Sequence, residues 1–448
     1  MTHSLILLAS TLAAVAAIAM SSQGLKGVDG VHMLAQGAAA SSSPPPSSSS
    51  LSVAGSSSRF GKHLLSLFGI DEDYVNLNHG SYGSVPNVVL DAANGWRKHV
   101  EEKPDLFYRF EVYDIIPRML KRLASYIGAD AEDVVFVENA SHGVNAVLRS
   151  MKKLHKGKKI LYLNLAYQMV KNTLQYLSEA DSDALLEVNI TLPDQTDDDI
   201  VEAVRQALEA NKGSVHIASF SHITSIPSTI LPVERLIKLC REHGVLVLID
   251  GAHALGQIPL NMKELDPDMY VCNGHKWLYS PKGTALLYVK KSVQHLVEPT
   301  TISWEGKGKS HFQAAFSYQG TADFSNYLAM EKALDFRESV GGEEAIMNYI
   351  HNLAVEGGKA LAKEFGTELL FSHHSRFAAM VDVKLPPCNS SIDFTYELLH
   401  HKPISTYVPV YSDNSGNMIA RVSAQIYNDV DDFRFLAKVI KEIIKSHE

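Results

Sequence analysis

The sequence predicts an α/β protein: a large domain with a mainly parallel sheet between helices, then a smaller α+β domain at the C-terminus. Three observations predict it. Short apolar strands without polar alternation, at 159–164 (KILYLN), 215–220 (VHIASF) and 245–249 (VLVLI), are separated by helical stretches. That is the pattern of a sheet covered on both faces. The chain has 448 residues, enough for two domains. After about Thr300 the alternation gives way to a long helical run and then isolated strands.

The first 58 residues are expected to lie outside the fold. Residues 5–20 (LILLASTLAAVAAIAM) are an apolar run of signal-peptide type with no Lys or Arg before it. The run is shorter than the roughly 20 residues of a membrane span, so no stable span is expected in the mature chain. An Ala/Ser-rich tract with SSSPPPSSSS follows, and such a tract buries too little surface to order itself. Asp29 is the only acidic residue before Asp71. A secretory signal and a plastid-like organelle presequence both fit.

From Arg59 onward the pattern is globular. Val144, Val147, Leu148, Met151 and Leu154 recur at helical spacing. Helices are expected at 200–210 and 233–243, the latter stopped by Gly244, and a further strand at 285–289. A long helical stretch, 324–365, precedes strands at 378–383 and 418–423, a helix at 392–401 between them, and a final helix at 430–446.

Composition excludes some functions. The formal net charge of −9 argues against a nucleic-acid partner. Cys240, Cys272 and Cys388 are too few and too odd in number for a disulfide framework. Among the 20 histidines, 373–374 and 400–401 are sequence neighbours, which do not share a helix face, and no metal site is expected. Sequons stand at Asn139, Asn189 and Asn389. Asn139 adjoins the anion site proposed next, which leans away from a glycosylated secreted protein.

The strongest local signal runs from Val245 to Val289. The strand VLVLI ends in Asp250, with His253 after it, and Lys276 follows in NGHKW. Ligands of parallel sheets bind at the carboxyl ends of strands. A lysine amine and a buried carboxylate there suit pyridoxal 5'-phosphate. The amine forms a Schiff base, and the carboxylate keeps the pyridine nitrogen protonated so that the ring accepts electrons. A cationic ring would lower the Asp250 pKa while burial would raise it. His253 could bond the ring's phenolic oxygen.

A second signal, 134–148 (VVFVENASHGVNAVL), is a strand running into a helix N-terminus, an anion site at which Ser141 is either a donor or only an N-cap. Tyr167 could stack on a ring or pack in the core. Thr224 and Ser225 follow the strand VHIASF at its carboxyl end and are expected among the cofactor-binding residues. Arg421 could fork onto an amino-acid carboxylate or be a surface charge.

Together LNHGSYGSVP, ENASHGVNAVL, SHITSIPSTILPV, IDGAHALGQ, NGHKW, YQGTADFS and ARVSAQIYN resemble the class V aminotransferase-like family of fold-type-I PLP enzymes, over roughly residues 74–445. Within it the chain is similar to plant-type L-cysteine desulfhydrases and to isopenicillin N epimerase-like proteins. The resemblance implies Lys276 as Schiff-base lysine and acid/base at Cα, Asp250 on the pyridine nitrogen and His253 near the phenolic oxygen. It places Ala140, Ser141, Asn273 and His275 on the phosphate, Tyr167 over the ring, and Asn78 and Arg421 on the substrate side. It also implies a homodimer in which Thr321 reaches the neighbouring subunit's phosphate. The expected division is a presequence and linker (1–58), a segment packing with the small domain (59–95), a PLP-binding large domain (96–300) and a small domain (301–448).

The expected reaction is carbon–sulfur lysis of L-cysteine or a related sulfur amino acid. Epimerisation, transamination and a non-catalytic PLP-binding homologue are the alternatives. A desulfurase needs a mobile cysteine thiolate in the loop before the strand carrying Arg421, and 403–420 contains no cysteine.

Overall fold

The computed structural model describes residues 59–154, 157–178, 182–302, 312–413 and 415–448. The presequence expected at 1–58 lies outside the described residues. The described residues form one compact unit.

Its centre is a seven-stranded sheet in the order β2-β8-β7-β6-β5-β3-β4. The strands are β2 (Val134–Val137), β3 (Lys159–Leu163), β4 (Leu185–Val188), β5 (Val215–Ser221), β6 (Leu246–Asp250), β7 (Met269–Asn273) and β8 (Ala285–Val289). β2, β5, β7 and β8 are buried at every residue. Strands sandwiched between helices have no wet face, so their apolar runs are unbroken. β8 runs antiparallel to both β2 and β7, and the other six strands share one direction. Apolar content marks a strand as buried but carries no sign of its direction, so the reversal of β8 was not readable.

A short strand, β1 (Tyr74–Asn76), pairs in parallel with β10 (Ser405–Tyr407). β11 (Val410–Ser412), β12 (Met418–Ser423) and β9 (Met380–Lys384) form an antiparallel sheet in that order. It has its own core, with Leu361, Val381, Val422, Phe433 and Ile440 at its centre. The helical run expected over 324–365 is broken. It comprises Ser325–Leu328, Met330–Ser339 and Glu343–Phe365. Gly341 and Gly342 take φ of +136° and +83°, backbone that a helix cannot continue through. The final helix, Val430–Ser446, opens on a capping box of Asp429 and Asp432.

Because six strands point the same way, the ends of β2, β3, β5, β6 and β7 deliver their loops to one edge of the sheet. Those loops carry Ser141, Tyr167, Ser225, Asp250 and Lys276.

Candidate active site

Asp250 is the last residue of β6 and is 5% exposed. The Ala252 N–H donates to its Oδ1 at 3.1 Å. Burial pushes the carboxyl up, while that amide and the Lys276 charge pull it back. Within the polypeptide, desolvation is therefore the larger of the two effects weighed for this residue.

Lys276 lies in the short helix Gly274–Trp277 that follows β7, with its amine 2.9 Å from His253 Nε2. Burial, then the nearby Arg421 charge, push the amine down to about 7, against the pull of Asp250. His253 is driven well below its ordinary value, by burial first and then by Lys276. Trp277 Nε1 donates to His253 Nδ1 at 3.5 Å, which leaves the ring proton on Nε2, facing the Lys276 amine. The sequence placed His253 at a phenolic oxygen. In the protein its Nε2 meets the lysine, because the loop after β6 turns the ring toward Trp277.

The anion site sits at the start of the helix Ala140–Leu154. Asn139 is the cap: its Oδ1 accepts the His142 N–H at 2.9 Å. Ser141 is therefore released from that duty. The Ala140 N–H is also taken, by Asn273 Oδ1 at 2.8 Å. That corrects the expectation that the Ala140 amide meets a phosphate directly. What remains is the Ser141 amide and hydroxyl, the Asn273 Nδ2 donor and His275. His275 Nδ1 bonds the Thr284 carbonyl at 3.1 Å, and burial lowers the ring to about 4.

Arg421, on β12, is 2% exposed and not a surface charge. Its Nη1 donates to Ser225 Oγ at 3.0 Å and to the Ser225 carbonyl at 3.1 Å. Its Nη2 donates to Asn78 Oδ1 and Ser81 Oγ, both at 2.9 Å, and its Nε is buried without a partner. Asp382 faces it across β9, held by the Ser228 N–H and the Tyr411 hydroxyl. Thr224 is a correction. Its hydroxyl donates to the Pro227 carbonyl and accepts the Thr229 N–H, so it closes its own loop. Tyr167 is 52% exposed, which excludes core packing. Thr321 bonds Tyr318 and lines a separate cleft of about 510 Å³ with Tyr113 and His142.

Residues 85–432 match the family model of the class-V aminotransferases. The chain belongs to the class-V aminotransferase family. It is 29% identical over 391 residues to the hercynylcysteine sulfoxide lyase of Schizosaccharomyces pombe, covering 86% of this chain and 97% of that one. It is 30% identical over 421 residues to an L-cysteine desulfhydrase of Arabidopsis thaliana, covering 85% and 92%. Among solved structures, a C-DES mutant with glycine covalently linked to its PLP cofactor overlays with a TM-score of 0.71 at 19% identity, covering 82% and 96%. That likeness shows the fold.

Within this member of the class-V aminotransferase family, several residues that complete the site were not singled out from the sequence. Ser81 and His79 stand in the same LNHGSYG segment as Asn78. Their neighbourhood was the signal, but only tertiary contact assigns them a partner. Tyr427 stands in the ARVSAQIYN segment with Arg421, whereas Arg337 and Asp382 carried no local signal.

Proposed function

We propose that the protein is a carbon–sulfur lyase acting on L-cysteine or a related sulfur amino acid, releasing sulfide, pyruvate and ammonia with uptake of one water. The carrying observation is one sheet edge that gathers a buried carboxylate, an amine lowered to about 7 and a buried, forked Arg421. The names of the similar lyase and desulfhydrase support the choice of reaction.

The cofactor is pyridoxal 5'-phosphate, and the donor set fits it: an amine lowered to about 7 for its aldehyde, a carboxylate for its pyridine nitrogen and a helix N-terminus for its phosphate. Bound there, it supplies a sink for the electron pair left when a bond at the substrate's Cα breaks. Arg421 takes the substrate carboxylate, exchanging the neutral acceptors Asn78, Ser81 and Ser225 for a charge-assisted pair. Lys276 holds the cofactor and moves the Cα proton, a task for an amine with pKa near working pH. Ser141 and Asn273 hold the phosphate, joined by His275 once the phosphate charge protonates its ring, Tyr167 covers the ring, and His253, against the Lys276 amine, would bond the phenolic oxygen.

Sulfur leaves as sulfide. Among the described residues Cys240 and Cys272 are buried, their thiols pushed up to about 12, and neither can serve as a mobile thiolate. The proposed working unit is a homodimer, supported by exposed Tyr82, Phe110 and Tyr113 and by the position of Thr321 in an open cleft.

The test is to incubate the purified protein with single amino acids and assay sulfide, pyruvate and chirality together. Equal sulfide and pyruvate from L-cysteine are expected. Inverted chirality without pyruvate would make it an epimerase, and dependence on an added keto acid an aminotransferase. Cofactor bound at Lys276 with no turnover on any amino acid would make it a non-catalytic homologue.

A further inference from the structure

The Lys276 side chain reaches the sheet edge, and its backbone is held from elsewhere in the chain. His79 is fully buried, with Nε2 2.7 Å from the Lys276 carbonyl oxygen and Nδ1 2.9 Å from the Tyr427 hydroxyl. Asn76 Nδ2 donates to that same hydroxyl at 2.9 Å. The Lys276 carbonyl can only accept, so the neutral ring carries its proton on Nε2 and donates it there. Nδ1 then accepts the phenolic proton of Tyr427, whose oxygen accepts from Asn76. Burial holds the ring neutral, at about 3.

The next carbonyl is held too. Arg337, fully buried, donates Nη1 to the Trp277 oxygen at 2.7 Å. Two residues on, Tyr279 has a φ of +69°, which a bulky side chain adopts only under constraint. The turn after Lys276 is thus held against its own preference by groups on consecutive carbonyls. Gly83 shows how closely the His79 segment lies against it: a Cβ there would stand 1.9 Å from the His275 oxygen.

His79 also touches Trp277, Tyr279 and Tyr427 ring to ring, and filling space is the rival account of it. An apolar ring would fill that space. It would not need Asn76 and Tyr427 to fix a tautomer.

We propose that His79, oriented by Tyr427 and Asn76, is a positioning residue that fixes the Lys276 backbone, and so the direction of its amine, through the Lys276 carbonyl. The inference rests on the reading of Lys276 as the cofactor lysine. It is tested in the full chain with His79→Gln, His79→Phe and Tyr427→Phe. Three quantities are read: the rate at which Lys276 acquires a borohydride-fixed pyridoxyl label, the split of kcat against KM with L-cysteine, and amide hydrogen exchange over residues 274–280.

His79→Phe should fold, exchange faster over 274–280, and lose about tenfold or more in labelling rate and kcat with KM little changed. His79→Gln keeps an N–H for the carbonyl and should recover most of that loss. Tyr427→Phe should fall between. Wild-type exchange, labelling and kcat in His79→Phe would overturn the proposal. If His79→Phe does not fold, the same wild-type result in Tyr427→Phe overturns it. Absence of label in the wild-type protein would remove the cofactor reading instead, and exchange over 274–280 would still decide whether His79 holds the turn.

Discussion

An amine is a nucleophile only when unprotonated, and at its ordinary value Lys276 would be almost wholly protonated at neutral pH. Burial and the Arg421 charge bring it down to about 7. The rate at which the cofactor-free protein captures pyridoxal phosphate should therefore rise with pH and level off with a midpoint near 7. A rise continuing above pH 9 in stopped-flow absorbance would show that the site does not lower the amine. Asp250→Asn keeps the shape of the carboxyl and its bond to Ala252 but cannot hold a pyridine nitrogen protonated. Turnover should fall by about 100-fold or more while Lys276 still takes the label. Undiminished turnover would mean that another group faces the nitrogen. The places of Asp250 and Lys276 were legible in the sequence because strand ends dictate them, whereas Arg421 lies within β12 and its burial was not. Ala140 and Thr224 were not read correctly. Whether an N–H or hydroxyl is free depends on what closes the loop: Asn273 does so from 133 residues away, and Thr229 from five residues away through a turn whose closure residue types do not announce.

Elements were legible where burial is periodic and poorly so where glycine decides. The strand β6 and the final helix Val430–Ser446 read almost residue for residue because their apolar spacing is unambiguous. The run over 324–365 read as one helix because its apolar residues continue across Gly341 and Gly342, whose positive φ is a property of the backbone alone. The segment containing Gly83 makes the same point with a consequence for stability. Gly83 has a φ of +70°, and a Cβ there would lie 1.9 Å from the His275 carbonyl oxygen. Both elements at that contact are pinned, one by His79 and the other by Arg337, so neither can retreat cheaply. Gly83→Ala should destabilise the protein by about 3 kcal/mol and accelerate exchange at 274–280. A change in urea midpoint no larger than that of a surface Ala substitution would show that the contact relaxes. Arg337→Met removes the donor to Trp277 and Gly256 and leaves Glu343 with the Tyr126 hydroxyl but no cation. Loss of about 3 kcal/mol or more is expected, measured the same way.

Across the whole molecule, the legible part is what neighbouring residues determine, and the hidden part is what long-range closure determines. His79 and Lys276 are 197 residues apart, and His79 and Tyr427 are 348 apart. No local period announces such pairs. That closure also buries imidazoles, and burial has a pH signature. His79 is lowered to about 3, His222 to about 4, and His253 well below its ordinary value, each by desolvation first. In the unfolded chain these rings titrate near 6.5. Between roughly pH 6.5 and 4 the unfolded state therefore binds one more proton per ring than the folded state. Stability falls as pH falls through that window, by about 1.4 kcal/mol per pH unit for each ring. Asp382, raised to about 7 by burial, acts in the opposite sense, since its folded form holds a proton that the unfolded carboxyl releases. One aspartate offsets about one ring, and the histidines prevail over the upper part of the window. His222 offers a clean test, because its Nδ1 meets the Tyr270 hydroxyl at 2.8 Å and a glutamine amide can keep that bond. His222→Gln should lessen the dependence of unfolding free energy on pH by about 1.4 kcal/mol per pH unit between pH 6.5 and 4.5. Urea titrations at several pH values give the slope. A variant as acid-sensitive as the wild type would show that the His222 ring is already protonated in the folded protein.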